Sequence, residues 1–335
     1  MIDWLTFSID ASNLSPQIRE LLDLNSERLV KISPDGDIAW ESRPIERLRS
    51  DMNGLSYKYG SSLMIMGSPA SVVSPNNVFG TSCLMQGFND MISFFDHHIS
   101  TSLPRDPLLW SCSRIDVTQN YDLGGQIAVN QFLDYASKVT TRGDNVERKH
   151  STVYWNKSSS LRAGKAYNKY QHARKLTKKN QAYYTREQLK KTEHLLRLEL
   201  KLGRKWLFKQ NLHWSQLTEN HLQTQHTDFF KDIINDIEVP TMDTLLEKLI
   251  EVSPTEGQAK SALDYFYRIK SMGSKTARAM TTDRTHYRHV KNLKMAGLTT
   301  ADITSGEIHY FRPRTITMRP VNDWSQININ TPKVA

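Results

Sequence analysis

The sequence predicts an α+β protein built on an antiparallel sheet, with helices packed on one face and the other face open. Three observations carry this. Segments with period-two alternation recur through the first two hundred residues, and segments with helical spacing alternate with them. The two clearest strands, WSCSRIDVT (110–118) and LLRLELKL (195–202), each show one apolar and one charged face.

The elements follow in order. Residues 3–9 alternate, with Trp4, Thr6 and Ser8 against Leu5, Phe7 and Ile9, and read as a first strand. A short helix is expected near 16–30 and a strand at 37–41, after Pro34-Asp35-Gly36. Leu55–Met66 reads as a hairpin around Gly60, and 68–81 as a structured loop with a short helical piece. Leu84–Ser100 carries an apolar stripe of Leu84, Phe88, Met91, Phe94 and Phe95 and predicts a helix. Trp110–Thr118 is a strand, Gly125–Val139 a helix, and 151–156 with 161–167 a hairpin. Gln171–Lys191 predicts a basic helix broken near Asn180, followed by the strand at 195–202. Beyond 203 the pattern turns helical, at 204–213, 214–221, 226–235 and 241–251, and Val252–Gly257 reads as a linker.

The 335 residues suffice for two or three domains. With 44 Lys+Arg against 35 Asp+Glu, the formal charge is +9, which points to nucleic acid before a membrane surface as partner. No run approaches the ~20 apolar residues of a membrane span. The start, MIDWLTFSID, has no basic region followed by a long apolar core and does not read as a signal peptide. Cys83 and Cys112 have no metal-binding spacing, so free thiols in a reducing cytoplasm are expected.

Chemistry concentrates on three strands. In LRAGKAYNKY (161–170) an extended chain puts Lys165, Tyr167 and Lys169 on one face, where a phenol between two ammonium groups can meet a phosphate with its ionised form favoured. Arg114 and Asp116 share a face of one neighbouring strand, and Arg197, Glu199 and Lys201 share a face of another. Two carboxylates on adjacent strands would hold a hard cation, Mg²⁺ or Mn²⁺, and the arginines would neutralise phosphate or orient the carboxylates. Either Arg-x-acid pair by itself also reads as a cross-strand ion pair on a solvated face. From Arg162 to Lys191 there are ten Lys/Arg and one acid, so Arg162, Arg174 and Lys175 are expected at DNA.

The C-terminal part reads as a separate unit of three short helices, 259–272, 275–281 and 284–296, followed by alternating strands near 307–319. Thr282-Asp283 can cap the third helix, and Gly297 can end it. This pattern resembles a winged helix-turn-helix, with Thr285, His286, Arg288, His289 and Lys291 set to reach a groove. The expected organisation is a core over 1–205, a helical connector over 206–252, a DNA-binding region over 258–320 and a tail over 321–335.

MIDWL, SPASVV with NVFGT, SRIDVT, STVYWN, AYNK and LLRLEL occur in the order and with similar gaps seen in one family. The chain resembles the gene II/gene X replication initiators of filamentous bacteriophages, and more distantly the rolling-circle initiators of small Gram-positive plasmids. The resemblance implies a degenerate HUH-like nickase core that cuts one strand of the replicative form at the origin. It implies a 5′-phosphotyrosine at Tyr167, metal ligands Asp116 and Glu199, and a 3′ hydroxyl that primes synthesis. Origin DNA, double- and single-stranded, and a host helicase and polymerase in the bacterial cytoplasm are the implied partners.

Departures accompany the resemblance. There is no His-hydrophobic-His triplet; His97-His98 lies on the predicted helix and is expected in solvent. Asn76-Asn77 stands where some relatives place a histidine beside the asparagine, which leaves the third metal ligand open. Tyr154 is the second candidate nucleophile, alternatively a groove residue, and Tyr170, Tyr183 and Tyr184 are weaker ones. A non-catalytic origin binder or repressor with the same fold is the rival reading.

Overall fold

The computed structural model describes residues 1–50, 53–137, 145–179, 182–234, 237–239, 242–298, 300–304, 314–327 and 329. β1 (Ile2–Asp10) leads to α1 (Pro16–Leu24), whose cap Ser15 accepts from the Ile18 amide. β2 (Leu29–Ile32) and β3 (Ile38–Ser42) form a separate exposed hairpin. β4 (Glu46–Ser50), β5 (Asn53–Tyr59) and β6 (Ser62–Gly67) form an antiparallel meander. Then come α2 (Ala70–Val73), α3 (Leu84–Ile99), the long β7 (Trp110–Asp122) and α4 (Gln126–Ala136). β8 (Val146–Lys149), β9 (Thr152–Trp155) and β10 (Arg162–Asn168) precede α5 (Lys169–Lys178), α6 (Arg186–Lys191) and β11 (Leu195–Gly203).

The sheet runs β4-β5-β6-β1-β7-β11-β10-β9-β8, antiparallel throughout. Its apolar face carries Leu5, Phe7, Ile115, Val117, Leu198, Leu200, Ala166 and Val153. Phe88 of α3 packs edge-on to Phe7 at 5.1 Å, and Phe132 of α4 joins the same core. α7 (Arg204–Lys209) and α8 (Glu219–Phe230) close this face through Trp206, Leu222 and Phe230. The expected connector is therefore part of the core as far as Ile233, because these side chains have no apolar surface to bury against except the sheet.

The second face is not fully open. α5 and the loop over 74–79 cover one end, where Val78, Ala173, Ala182, Tyr184 and Leu195 form a small apolar cluster. The expected long basic helix is two helices, α5 and α6, with 180–181 outside the described residues.

β12 (Ile237–Val239) precedes α9 (Met242–Val252), α10 (Glu256–Met272), α11 (Ser274–Ala279), α12 (Asp283–Met295) and α13 (Thr300–Thr304). Leu245 and Leu249 of α9 are buried with Phe266, Ile269 and Leu293, so α9 packs with the C-terminal helices and 252–257 is a turn within one cluster. Thr282 caps α12, and Gly297 follows it at φ 99°, a left-handed conformation that favours glycine.

Of the expected wing, 305–313 lies outside the described residues. β13 (Arg314–Ile316) pairs with β12, and β14 (Arg319–Val321) leaves the C-terminal unit to pair with β7. The reason is an open edge: β1 starts opposite Val117, leaving Asn120–Asp122 unpaired on that side until β14 fills it. Among the described residues no helix is long and apolar enough to cross a membrane.

Candidate active site

Register places the polar side chains. β7 and β11 pair Thr118 with Glu199 and Asp116 with Lys201. β11 and β10 pair Glu199 with Lys165 and Arg197 with Tyr167, and β10 and β9 pair Lys165 with Tyr154. Asp116 and Glu199 are thus diagonal neighbours on one face, a relationship that sets Cα atoms roughly 7–8 Å apart. Both are buried, at 5% and 3% exposure.

Each carboxylate has a basic partner. Arg114 donates to Asp116 from Nε at 2.8 Å and from Nη2 at 2.6 Å. Burial pushes the Asp116 carboxyl above its ordinary pKa, and Arg114 works against that shift. Lys165 pairs with Glu199 Oε2 and lies 5.1 Å from the centre of the Tyr167 ring. Burial lowers the Lys165 ammonium pKa, against the pull of Asp3 and Asp116.

Tyr167 is 6% exposed, and its Oη donates to Glu199 Oε1 at 3.4 Å. It stands outside the apolar clusters, against charged groups and the His172 ring at 5.3 Å. The expectation that its ionised form is favoured is corrected: burial raises the phenol pKa, and Arg197 only partly offsets this. Lys169 is also corrected. The strand ends at Asn168, and Lys169 opens α5 with its ammonium buried and donating to Asn77 Oδ1 at 2.9 Å. That burial lowers its pKa strongly.

A residue the sequence pattern does not single out completes the cluster. Between Ile2 and Trp4 the β1–β7 register slips, and the bulge turns Asp3 onto the polar face beside Trp4. Asp3 Oδ1 accepts from Arg197 Nη1 at 3.1 Å and from Asn77 Nδ2 at 2.9 Å. Burial pulls the Asp3 pKa up, but Arg197, then Lys169 and Lys165, outweigh it and hold it below its ordinary value. Simple alternation hides Asp3, because it assigns position 3 to the apolar side; the acid itself, in an apolar strand, is the available signal.

Several expected DNA contacts stand elsewhere. Arg197 is fully buried and donates to Asp3, to Asn120 Oδ1 at 2.8 Å and to the carbonyls of Asn77 and Val78, so it organises the protein. Arg162 lies on the helix-covered face, 3.6 Å from Asp228 and over the Phe229 ring. His289 is buried and stacked on Tyr265 at 5.0 Å, and His286 bonds the Tyr265 hydroxyl at 2.6 Å, so neither reaches outward. Thr285 sits in the capping turn with Thr282. Arg288 and Lys291 are exposed on α12, as are Arg174 and Lys175 on α5. Tyr154 is half-buried on the polar face under Lys157 at 4.9 Å. Tyr170 lies under Arg174, Tyr183 is exposed, and Tyr184 is buried. His98 stacks on Phe94 of α3.

Asp116 and Glu199 offer the hard oxygen donors that Mg²⁺ or Mn²⁺ prefers, and such ions bind through one or two carboxylates plus phosphate and water. Among the described residues no group of three or more His, Cys, Asp or Glu forms a ligand cluster.

A solved rolling-circle replication initiator protein from Geobacillus stearothermophilus matches at 14% identity, over 63% of this chain and 77% of that one, with a TM-score of 0.26. No curated relative matches. A family model for the N-terminal part of the phage gene II type of replication-associated protein matches residues 1–221. That span covers the whole sheet but for β14, and on it the chain belongs to the family of phage gene II replication-associated proteins.

Proposed function

We propose that this chain is the rolling-circle initiator of a filamentous phage, a nickase with Tyr167 as nucleophile, acting on origin DNA in the cytoplasm of a bacterial host. The observation that carries the reading is the 3.4 Å contact from Tyr167 Oη to Glu199 Oε1, on a face shared with Asp116 and Lys165. A protonated phenol needs a base, and Glu199 is the carboxylate in reach. Glu199 takes the phenolic proton as Tyr167 Oη attacks phosphorus. The bond from phosphorus to the 3′ oxygen breaks, and that oxygen takes a proton from the Lys165 ammonium as it leaves, giving the hydroxyl that primes a host polymerase. Lys165 and Arg114, whose side chains are 38% and 40% exposed, are placed to pass onto phosphate oxygens.

Asp116 and Glu199 would hold Mg²⁺ or Mn²⁺, which supplies charge stabilisation to the transferring phosphoryl group. The phosphotyrosine conserves the energy of the broken bond, so a later 3′ hydroxyl displaces Tyr167 and closes the displaced strand into a circle. A host helicase opens the duplex ahead. The sheet with α7 and α8 forms the nicking unit, and α12 contributes Arg288 and Lys291 to origin duplex binding.

The test is incubation of the protein with origin single strands and Mg²⁺ or Mn²⁺, followed by mass spectrometry of the linked peptide. A DNA adduct on Tyr167, absent from Tyr167→Phe with binding retained, is the expected result. An adduct on Tyr154 moves the nucleophile across Lys165, and no adduct at all leaves a non-catalytic origin binder.

A further inference from the structure

We infer that the cleft beside Tyr167 receives one unstacked nucleobase of the strand being cut. The inference rests on the nicking function proposed above and names the group next to the scissile phosphate.

The cleft has a volume of about 300 Å³ and lies between β1, the β4–β6 meander, the loop over 68–77 and α5. Trp4, Arg47, Ser68, Asn77, His172 and Leu176 are among its walls. Its position is set at both ends. Trp4 stands directly across from Asp116 on the sheet, and the His172 ring packs 5.3 Å from the Tyr167 ring. A nucleotide whose phosphate meets Tyr167 and Asp116 therefore has its neighbour at the cleft mouth.

The lining suits a flat ligand with a polar edge. Trp4 supplies a half-buried indole, fixed by its Nε1 donating to Thr6 Oγ1 at 3.2 Å. Two buried polar atoms of the lining have no partner among the described residues: Ser68 Oγ, on a residue 6% exposed, and His172 Nδ1. Burial lowers His172 to about 3, so its imidazole is neutral and presents one donor and one acceptor. Orphaned buried groups of this kind call for a partner, and a base edge provides one. A base pair kept in its duplex stack cannot enter so small a space, which selects the single strand.

Single-stranded oligonucleotides covering the origin, each with one abasic residue, test this against full-length wild type, Trp4→Ala and Leu176→Trp. Binding is read by anisotropy and adduct on denaturing gels, with thermal unfolding run on each protein. One abasic position next to the nick is expected to weaken wild-type binding about tenfold. Trp4→Ala, which removes the platform, and Leu176→Trp, which fills the cleft, bind the intact strand that weakly and lose sensitivity at that position. Equal sensitivity along the wild-type profile overturns the inference without any variant. A profile that folded variants leave unchanged also overturns it. A position-specific profile without adduct on any strand sinks the nicking function and leaves the base site standing.

Discussion

Asp3 and Arg197 are 194 positions apart in sequence and meet at 3.1 Å through Oδ1 and Nη1, with Arg197 wholly buried. The same guanidinium holds Asn120 and the carbonyls of Asn77 and Val78. Removing one member of a buried charged pair strands the other, at a cost of about 3–5 kcal/mol. Arg197→Met should therefore lose that much stability in denaturant unfolding. Arg197→Lys should recover little, since one ammonium cannot span three elements. Stability within about 1 kcal/mol of wild type for Arg197→Met would show that the network contributes little.

Asp116→Asn and Glu199→Gln should each slow nicking by about a hundredfold or more. Because burial raises the Asp116 pKa, protons should compete with any cation bound there, and apparent metal affinity should fall as pH is lowered. Metal titrations at two pH values read both effects. Unchanged titrations in both variants would remove these acids as ligands.

His226 donates from Nε2 to the Leu198 carbonyl at 3.2 Å, and burial lowers its pKa from 6.5 to about 4. The folded state therefore resists a proton that the unfolded state accepts. Its contribution is intact above pH 6.5, falls as pH drops toward 4, and is constant below that. The span corresponds to roughly 3 kcal/mol. His172 is lowered to about 3 and adds a second proton in the same direction. Unfolding free energy measured against pH should show a slope in His226→Gln shallower than wild type by about one proton, roughly 1.4 kcal/mol per pH unit, between pH 6.5 and 4. Equal slopes would assign the acid sensitivity to other groups.

The exposed side of α12 and its buried side should separate experimentally. Arg288→Ala with Lys291→Ala should shallow the log–log salt dependence of duplex binding by about 0.9 for each phosphate no longer neutralised. His289→Ala should instead lower the melting temperature and leave that slope alone, because His289 stacks on Tyr265. A salt slope that ignores the double variant would move duplex binding to another surface.

Much of the fold is legible in the sequence because its signals are local. The alternation of Leu196, Leu198, Leu200 and Leu202 against Arg197, Glu199 and Lys201 fixes the two faces of β11 from one strand's sequence. The Thr282 cap and Gly297 bound α12 in the same local way. The candidate site is half legible. Asp116 and Glu199 announce a polar face, but which arginine stays at the surface depends on what covers that face. Arg114 is 40% exposed, while α5 and the 74–79 loop enclose Arg197.

Sequence alone settles the strands, their two-sided character and the placing of Asp116, Tyr167 and Glu199 on polar faces, because a period of two is written residue by residue. Tertiary structure alone decided that a bulge turns Asp3 toward Arg197, that His286 and His289 face Tyr265, and that Arg319–Val321 completes β7. Those outcomes depend on partners distant along the chain, or on an edge another strand leaves open, and no local pattern encodes either.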